Sequence, residues 1–153
     1  MQLKSIIILP LLLATACGTV SNVVSATPKQ ANYDAPANAA SSASVELRAS
    51  PEDITLKPLV SGGENYLEAS IEYIGTIGWS ASAHDDGEYN VSLTEDANNL
   101  NYSGDPLIWS VAIDPSLPLD LNARTSSGTL SLDLSDFTVA NLRADTSSGM
   151  INM

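Results

Sequence analysis

Apolar and polar residues alternate with a period of two over most of the chain from Val45 onward. This period is typical of strands that turn one face to a core and the other to water. The clearest runs cover residues 67–73, 79–83, 89–93 and 107–113. No amphipathic helix is evident in this region, so the pattern predicts an all-β domain over residues 45–153.

Two of these runs are separated by a short polar turn. Asp85, Asp86 and Gly87 lie between them, and glycine supplies the positive φ that tight hairpin turns need. Residues 79–94 are therefore predicted to form a β-hairpin.

The last third of the chain contains an internal repeat. Residues 121–128 (LNARTSSG) match residues 142–149 (LRADTSSG) at an offset of 21 residues. Beyond this match, Leu130 corresponds to Ile151 and Leu132 to Met153. Repeats of about 20 residues with short strands and tight corners are typical of β-solenoids, whose units stack on one another.

We therefore expect antiparallel strands or a hairpin to lead into a right-handed β-helix-like solenoid with a period of about 21 residues. The second unit is incomplete at Met153, so the sequence predicts a solenoid that is truncated at its C-terminal end. An uncapped end of this kind favours self-association. Two similar strands in an ordinary sandwich are the alternative interpretation.

The N-terminal segment has the features of a secretory signal. Lys4 supplies the basic start, residues 6–13 (IIILPLLL) are apolar, and small residues lead to Cys17. The apolar run is shorter than the roughly 20 residues that span a bilayer. Residues 13–18 (LATACG) resemble a bacterial lipobox, although Ala14 stands where that motif usually has leucine.

The lipobox resemblance implies a lipid-modified N-terminus. In that motif a diacylglycerol is attached to the cysteine thiol, and a signal peptidase then cuts before the cysteine. We predict that residues 1–16 are a lipoprotein signal peptide, that cleavage follows Ala16, and that Cys17 is the lipid attachment site. An uncleaved membrane anchor and an ordinary secretory signal are the alternatives.

Residues 17–44 are rich in Ala, Ser, Asn, Thr and Pro and contain few large apolar side chains. Such a segment buries too little surface to offset the entropy that ordering would cost. The composition predicts a disordered tether with a reach of roughly 30 Å. An Ala-rich helix over residues 35–44 is the alternative.

Charge and composition exclude several functions. The net charge of -12 and the pI near 4.1 argue against binding nucleic acid. A single Cys and a single His provide neither an internal disulfide nor a dedicated zinc site. The sequence also contains no phosphate-binding loop or dinucleotide fingerprint. We predict no cofactor and no metal.

Three groups of residues merit consideration as catalytic or metal-binding, and none is convincing. His84 adjoins the predicted turn, and its partners for a catalytic triad are not evident. Glu68 and Glu72 share a strand face but lie about 13 Å apart at roughly 3.3 Å per residue, which is too far for a retaining glycosidase pair. Residues 85–88 lack the spaced acidic ladder of known calcium loops.

The β-rich region resembles the toast-rack family, which comprises bacterial surface domains of unknown function that are related to adhesin-like β-helix domains. The resemblance rests on residues 67–73, the strand at Trp79, residues 107–111, residues 117–121 and the two Ser-Ser-Gly corners. The family usually has Gly-rich corners where this chain has Thr-Ser-Ser-Gly. The resemblance implies no catalytic residues.

These observations predict a protein of the bacterial cell envelope, lipid-anchored to the outer face of the membrane. The favoured function is a non-enzymatic surface module for binding, adhesion or envelope sensing. Its expected partners are the membrane, through the lipid, and an envelope protein or glycan. The alternative is a lipid-anchored β-helix hydrolase that acts on envelope or extracellular polysaccharide.

Overall fold

The computed structural model describes residues 26–37, 39–60, 63–97 and 102–153. Within these ranges the chain forms eleven β-strands and no helix. The strands are β1 (Lys29–Pro36), β2 (Ser42–Arg48), β3 (Asp53–Pro58), β4 (Asn65–Tyr73), β5 (Thr76–Ala83), β6 (Glu88–Asp96), β7 (Ile108–Ile113), β8 (Leu119–Thr125), β9 (Leu130–Leu132), β10 (Val139–Thr146) and β11 (Ile151–Asn152). The described part of the chain therefore offers no helix long and apolar enough to cross a membrane.

The strands form two mixed sheets. The six-stranded sheet has the order β1-β4-β7-β3-β9-β11, and the five-stranded sheet has the order β10-β8-β2-β6-β5. The predicted all-β class is confirmed. Parallel pairs such as β3 with β7 and antiparallel pairs such as β4 with β7 occur in the same sheet.

Five pairs of consecutive strands each contribute one strand to each sheet. These units are β2–β3, β4–β5, β6–β7, β8–β9 and β10–β11, and both sheets place them in the same spatial order. The unit β2–β3 lies between β8–β9 and β6–β7, so the spatial order differs from the order along the chain. A simple solenoid would stack its units in chain order, and this arrangement does not.

The core lies between the two sheets and is built from the inward positions of the alternating strands. Strand β8 alternates strictly, with Leu119, Leu121 and Ala123 fully buried. Trp109 on β7 is also fully buried, and its indole N–H donates to the Glu72 carbonyl at 3.2 Å. A buried indole nitrogen needs such an acceptor, because leaving it without one costs free energy.

The predicted hairpin is present. Strands β5 and β6 pair antiparallel, with Trp79 opposite Leu93 and Ala83 opposite Tyr89. Gly87 in the connecting turn has a φ of 85°, in the left-handed region that glycine adopts without steric cost. The turn chemistry that the sequence indicated is therefore confirmed at this position.

The 21-residue repeat corresponds to direct strand pairing. Strand β10 pairs in parallel with β8, and Leu142 lies opposite Leu121. Strand β11 pairs in parallel with β9, and Ile151 lies opposite Leu130. The repeat thus describes two neighbouring units of a two-sheet fold, while a right-handed solenoid through the whole domain stays a prediction.

The repeated Thr-Ser-Ser-Gly segments form stacked corners. The Thr125 hydroxyl donates to the Glu52 carbonyl at 2.8 Å, and one unit further on the Thr146 hydroxyl donates to the Gly128 carbonyl at 3.2 Å. A Cβ atom on Gly128 would lie 2.0 Å from the Glu52 carbonyl oxygen. Glycine is required here because the neighbouring backbone approaches so closely.

The expectation of a disordered tether is wrong for its C-terminal half. Residues 29–36 form β1, which pairs antiparallel with β4, and β2 begins at Ser42. Ala35 and Ala43 are almost completely buried. The composition was misleading because small side chains fill the inward positions here, and the strands gain backbone hydrogen bonds from their neighbours.

Several predictions lie outside the described residues. They are the signal peptide at residues 1–16, the cleavage after Ala16, the lipid attachment at Cys17 and the first part of the tether up to residue 25.

Candidate binding face and buried carboxyl pair

A straight row of small polar side chains crosses the outer face of the six-stranded sheet. The pairing registers place one hydroxyl or amide side chain of every strand in line. In spatial order the row consists of Asn32, Ser70, Ser110, Thr55, Ser131 and Asn152. Five of them are exposed and Ser131 is half-buried. With neighbouring strands about 4.8 Å apart, this hydroxyl–amide row is roughly 24 Å long.

Three grooves adjoin the hydroxyl–amide row. A groove of about 500 Å³ includes Asn32, Ser70 and Ser110, and a second groove of about 260 Å³ shares both serines. A third groove, of about 650 Å³, lies at the β11 end of the row; besides Thr55 and Asn152, its lining includes the inward-facing Leu56 and Leu132. The outer face is therefore indented at the end of the row that carries Ser70 and Ser110.

Charged side chains flank the row. On one side, Asp34 of β1 lies opposite Glu68 of β4 in the strand register, and Lys57 of β3 lies on the same side. On the other side the Gln30 amide donates to the Glu72 carboxylate at 3.0 Å. The face thus combines uncharged hydrogen-bonding groups in its centre with mainly acidic groups at its borders.

A buried carboxylate joins three segments at one end of the fold. Glu95, near the end of β6, accepts the backbone N–H groups of Ile74 and Gly75 at 3.0 Å through Oε1. Its Oε2 accepts the Ser50 N–H at 3.1 Å. Burial of Glu95 is compensated by these three donors, since charge-assisted hydrogen bonds to backbone amides are strong.

Glu52 lies beside Glu95 and is only 1% exposed. Its Oε2 accepts the Ser50 N–H at 2.6 Å, and its Oε1 has no partner among the described residues. Burial, followed by hydrogen bonding with Glu95 and repulsion from it, raises the pKa of Glu52 to about 8. At neutral pH Glu52 is therefore mostly protonated.

A groove of about 670 Å³ opens next to this pair. Arg48, Ser50, Thr94 and Glu95 contribute to its lining. Neighbouring carboxyl groups, one of which has a raised pKa, occur at sites of acid–base chemistry. Here, however, Glu52 is enclosed and both oxygens of Glu95 are engaged by backbone amides. The carboxyl pair therefore has a structural role: its hydrogen bonds hold the β2–β3 corner and the β4–β5 turn to the end of β6.

The sequence candidates for chemistry lie apart from this pair. His84, Asp85 and Asp86 are exposed at the β5–β6 turn. Glu68 accepts a hydrogen bond from the Asn65 side chain at 3.1 Å, and Glu72 borders the hydroxyl–amide row. In the described ranges no three His, Cys, Asp or Glu side chains cluster in a way that would hold a metal ion.

Sequence reasoning missed both the Glu52–Glu95 pair and the hydroxyl–amide row. Glu95 continues the alternation of Tyr89, Val91 and Leu93 at an inward position, so the pattern contained a signal for one buried carboxylate. The row has no such signal, because it depends on the spatial order of strands that are distant in the chain.

Comparison with known proteins gives a likeness of fold. No family model matches the chain, and no curated protein matches it in sequence. A crystal structure described as a "putative cell adhesion protein" from Clostridium sporogenes superposes with a TM-score of 0.69 at 14% sequence identity. The match covers 80% of this chain and 59% of that protein.

This likeness supports an adhesin-like fold. At 14% identity it concerns the fold alone. It says nothing about the signal peptide, and the toast-rack resemblance stays a prediction.

Proposed function

We propose that the protein is a non-enzymatic binding module of the bacterial cell envelope and that the outer face of its six-stranded sheet binds a neutral or amino-sugar polysaccharide. The observation that carries this proposal is the hydroxyl–amide row with its adjoining grooves. The adhesin-like fold supports a role in surface binding.

The chemistry of the face indicates the class of ligand. Serine, threonine and asparagine side chains donate and accept hydrogen bonds without carrying charge, as the hydroxyl groups of a sugar require. The acidic borders of the row and the net charge of -12 disfavour anionic polymers. A linear neutral or amino-sugar glycan that lies along the row would meet one side chain per strand.

The location of the module follows from the N-terminal sequence. A lipid on Cys17 would anchor the chain to the outer face of the membrane. Several acyl chains together hold a protein stably where one would not. The acidic domain would be repelled by an anionic membrane surface and would therefore project away from it.

Binding to a printed array of neutral, amino-sugar and anionic glycans tests the proposed function. Ser70→Trp and Ser110→Trp place a bulky side chain in the centre of the row, and Ser80→Trp on the outer face of β5 is the matched control. We expect neutral or amino-sugar glycans to bind, and the first two variants to lose at least about tenfold in affinity, since each blocks a groove.

Two results would count against the proposal. One is the absence of glycan binding by the folded wild-type chain. The other is equal affinity of all three tryptophan variants, which would place the binding site elsewhere.

A further inference from the structure

Strands β10 and β11 are the last strands of their sheets on the same side of the molecule. Each pairs with one neighbour, β8 or β9, and among the described residues nothing pairs with its other side. A strand with one unpaired side presents a row of backbone donors and acceptors that can pair with a further chain. The two strands together form what we call the β10–β11 edge.

Apolar side chains at this edge are more exposed than the side chains at the equivalent positions of β8 and β9. Leu121 and Leu130 are fully buried, and β10 and β11 lie beside them in the two sheets. The corresponding Leu142 and Ile151 are 40% and 38% exposed, and Met153 is 81% exposed. This surface has the composition of an interior and extends the core that lies between the sheets.

The charges on β10 are arranged so that the strand complements itself. Arg143 and Asp145 flank Ala144 and project from the same outer face of the sheet. If two copies of β10 pair antiparallel with Ala144 opposite Ala144, Arg143 of each copy lies opposite Asp145 of the other. Opposite charges in directly paired positions stabilise antiparallel strands.

The same two-fold arrangement suits β11. Antiparallel pairing about Asn152 would place Ile151 opposite Met153 of the second copy. In β9 the equivalent positions, Leu130 and Leu132, face the core. The apolar side chains of the two copies would therefore meet between the sheets, while the ion pairs form outside.

We propose that the β10–β11 edge binds the same edge of a second copy of this chain and forms a two-fold symmetric dimer with continuous sheets. The ion pairs that Asp145 forms within one copy do not prevent it from pairing with Arg143 of the second copy. Asp145 contacts Arg143 at 2.7 Å and Arg124 at 3.1 Å, and all three side chains are at least partly exposed. Exposed ion pairs of this kind contribute little, so exchanging one within the chain for one across the interface costs little.

Sedimentation equilibrium of the purified chain, followed by complementary charge variants, tests the dimer. Arg143→Glu and Asp145→Lys each place like charges opposite one another in the homodimer, so we expect each to weaken dimerisation at least about fivefold. In the heterodimer of the two variants, positions 143 and 145 that face each other across the interface always carry opposite charges. A heterodimer that is tighter than either homodimer is therefore expected, and native mass spectrometry distinguishes the three species.

Three further variants complete the test. Lys29→Glu and Asp34→Lys make the same charge changes on β1, at the other end of the six-stranded sheet, and should leave dimerisation unchanged. Met153→Glu should weaken dimerisation, because the side chain is exposed in the single copy and would be buried in the dimer. Circular dichroism confirms that each variant folds.

A wild-type chain that stays monomeric at high concentration would overturn the proposal. So would dimerisation that the β1 variants weaken as much as the β10 variants, or a mixture that forms no heterodimer. Glycan binding by a monomeric chain would leave the proposed function intact, so the two proposals fail separately.

Discussion

Replacing Glu52 by glutamine should stabilise the protein at pH 8 and not at pH 4. Glu52 lies in the corner between β2 and β3, almost completely enclosed, and burial followed by interaction with Glu95 raises its pKa from 4.5 to about 8. Glutamine has nearly the same shape as a protonated glutamate and keeps an oxygen for the Ser50 N–H.

The sign of the effect follows from the protons bound in each state. Below pH 4.5 Glu52 is protonated both in the folded and in the unfolded chain, so its contribution to stability is fully present. Between pH 4.5 and about 8 the unfolded chain releases the proton and the folded chain keeps it, so the free energy of unfolding falls as the pH rises. Glutamine has no proton to release and removes this fall.

The size of the effect follows from the pKa of Glu52. One pKa unit corresponds to about 1.4 kcal/mol, so the penalty at pH 8 is on the order of a few kcal/mol. We therefore expect Glu52→Gln to unfold at higher urea concentration than the wild type at pH 8, by about 2–4 kcal/mol in free energy. At pH 4 the two proteins should agree to within about 1 kcal/mol.

Urea denaturation, followed by circular dichroism at pH 4, 6 and 8, measures this difference. Glu68→Gln is the matched control, because Glu68 is exposed on β4. Glu95→Gln should instead destabilise the protein, since an amide nitrogen would face backbone N–H donors. Parallel stability curves for Glu52→Gln and the wild type would refute the raised pKa.

Further predictions concern the corners and the N-terminus. Gly128→Ala should destabilise the whole domain by about 3 kcal/mol or more, because its Cβ would lie 2.0 Å from the Glu52 carbonyl oxygen. Gly149→Ala should mainly loosen residues 139–153 in hydrogen exchange, while Gly63→Ala, with no atom closer than 3.9 Å, serves as the control. Labelled fatty acid should enter the wild-type chain and not Cys17→Ser, and equal labelling of both would contradict lipidation.

Periodicity predicted the strands well where large apolar side chains mark the inward face. The alternation of Leu67, Ala69 and Ile71 corresponds to buried positions on β4, and the turn at Gly87 has the backbone that its sequence indicated. These features are local, because they depend on the two-residue period of a strand and on the φ of one residue.

The same reasoning failed where burial does not require large side chains. In β1 the inward positions include Ala31, Tyr33 and Ala35, and two of these three are alanines. A composition-based argument treats such a segment as too polar to fold. Its order comes from pairing with β4, whose paired residues lie 29 (Pro36 to Asn65) to 44 (Lys29 to Tyr73) positions further along the chain.

The repeat shows how far local similarity can determine a structure. Matching the two Thr-Ser-Ser-Gly segments gives the register of β10 on β8, because identical corners stack through the same threonine hydroxyl and the same close glycine contact. The sequence gives no comparable match between β8–β9 and β2–β3, although the two units are neighbours.

The packing of β2–β3 against β8–β9 explains why the candidate binding face could not be derived from the sequence. The corner of β2–β3 offers the Glu52 carbonyl to Thr125 from a segment that has neither threonine nor glycine in the matching places. Because β2–β3 lies between β8–β9 and β6–β7, Thr55 falls between Ser110 and Ser131 and completes the hydroxyl–amide row. If the units stacked in chain order, β9 would adjoin β7 directly and Thr55 would lie outside this part of the row. The row is thus a product of strand order, and disrupting the β2–β3 corner should impair ligand binding as well as stability.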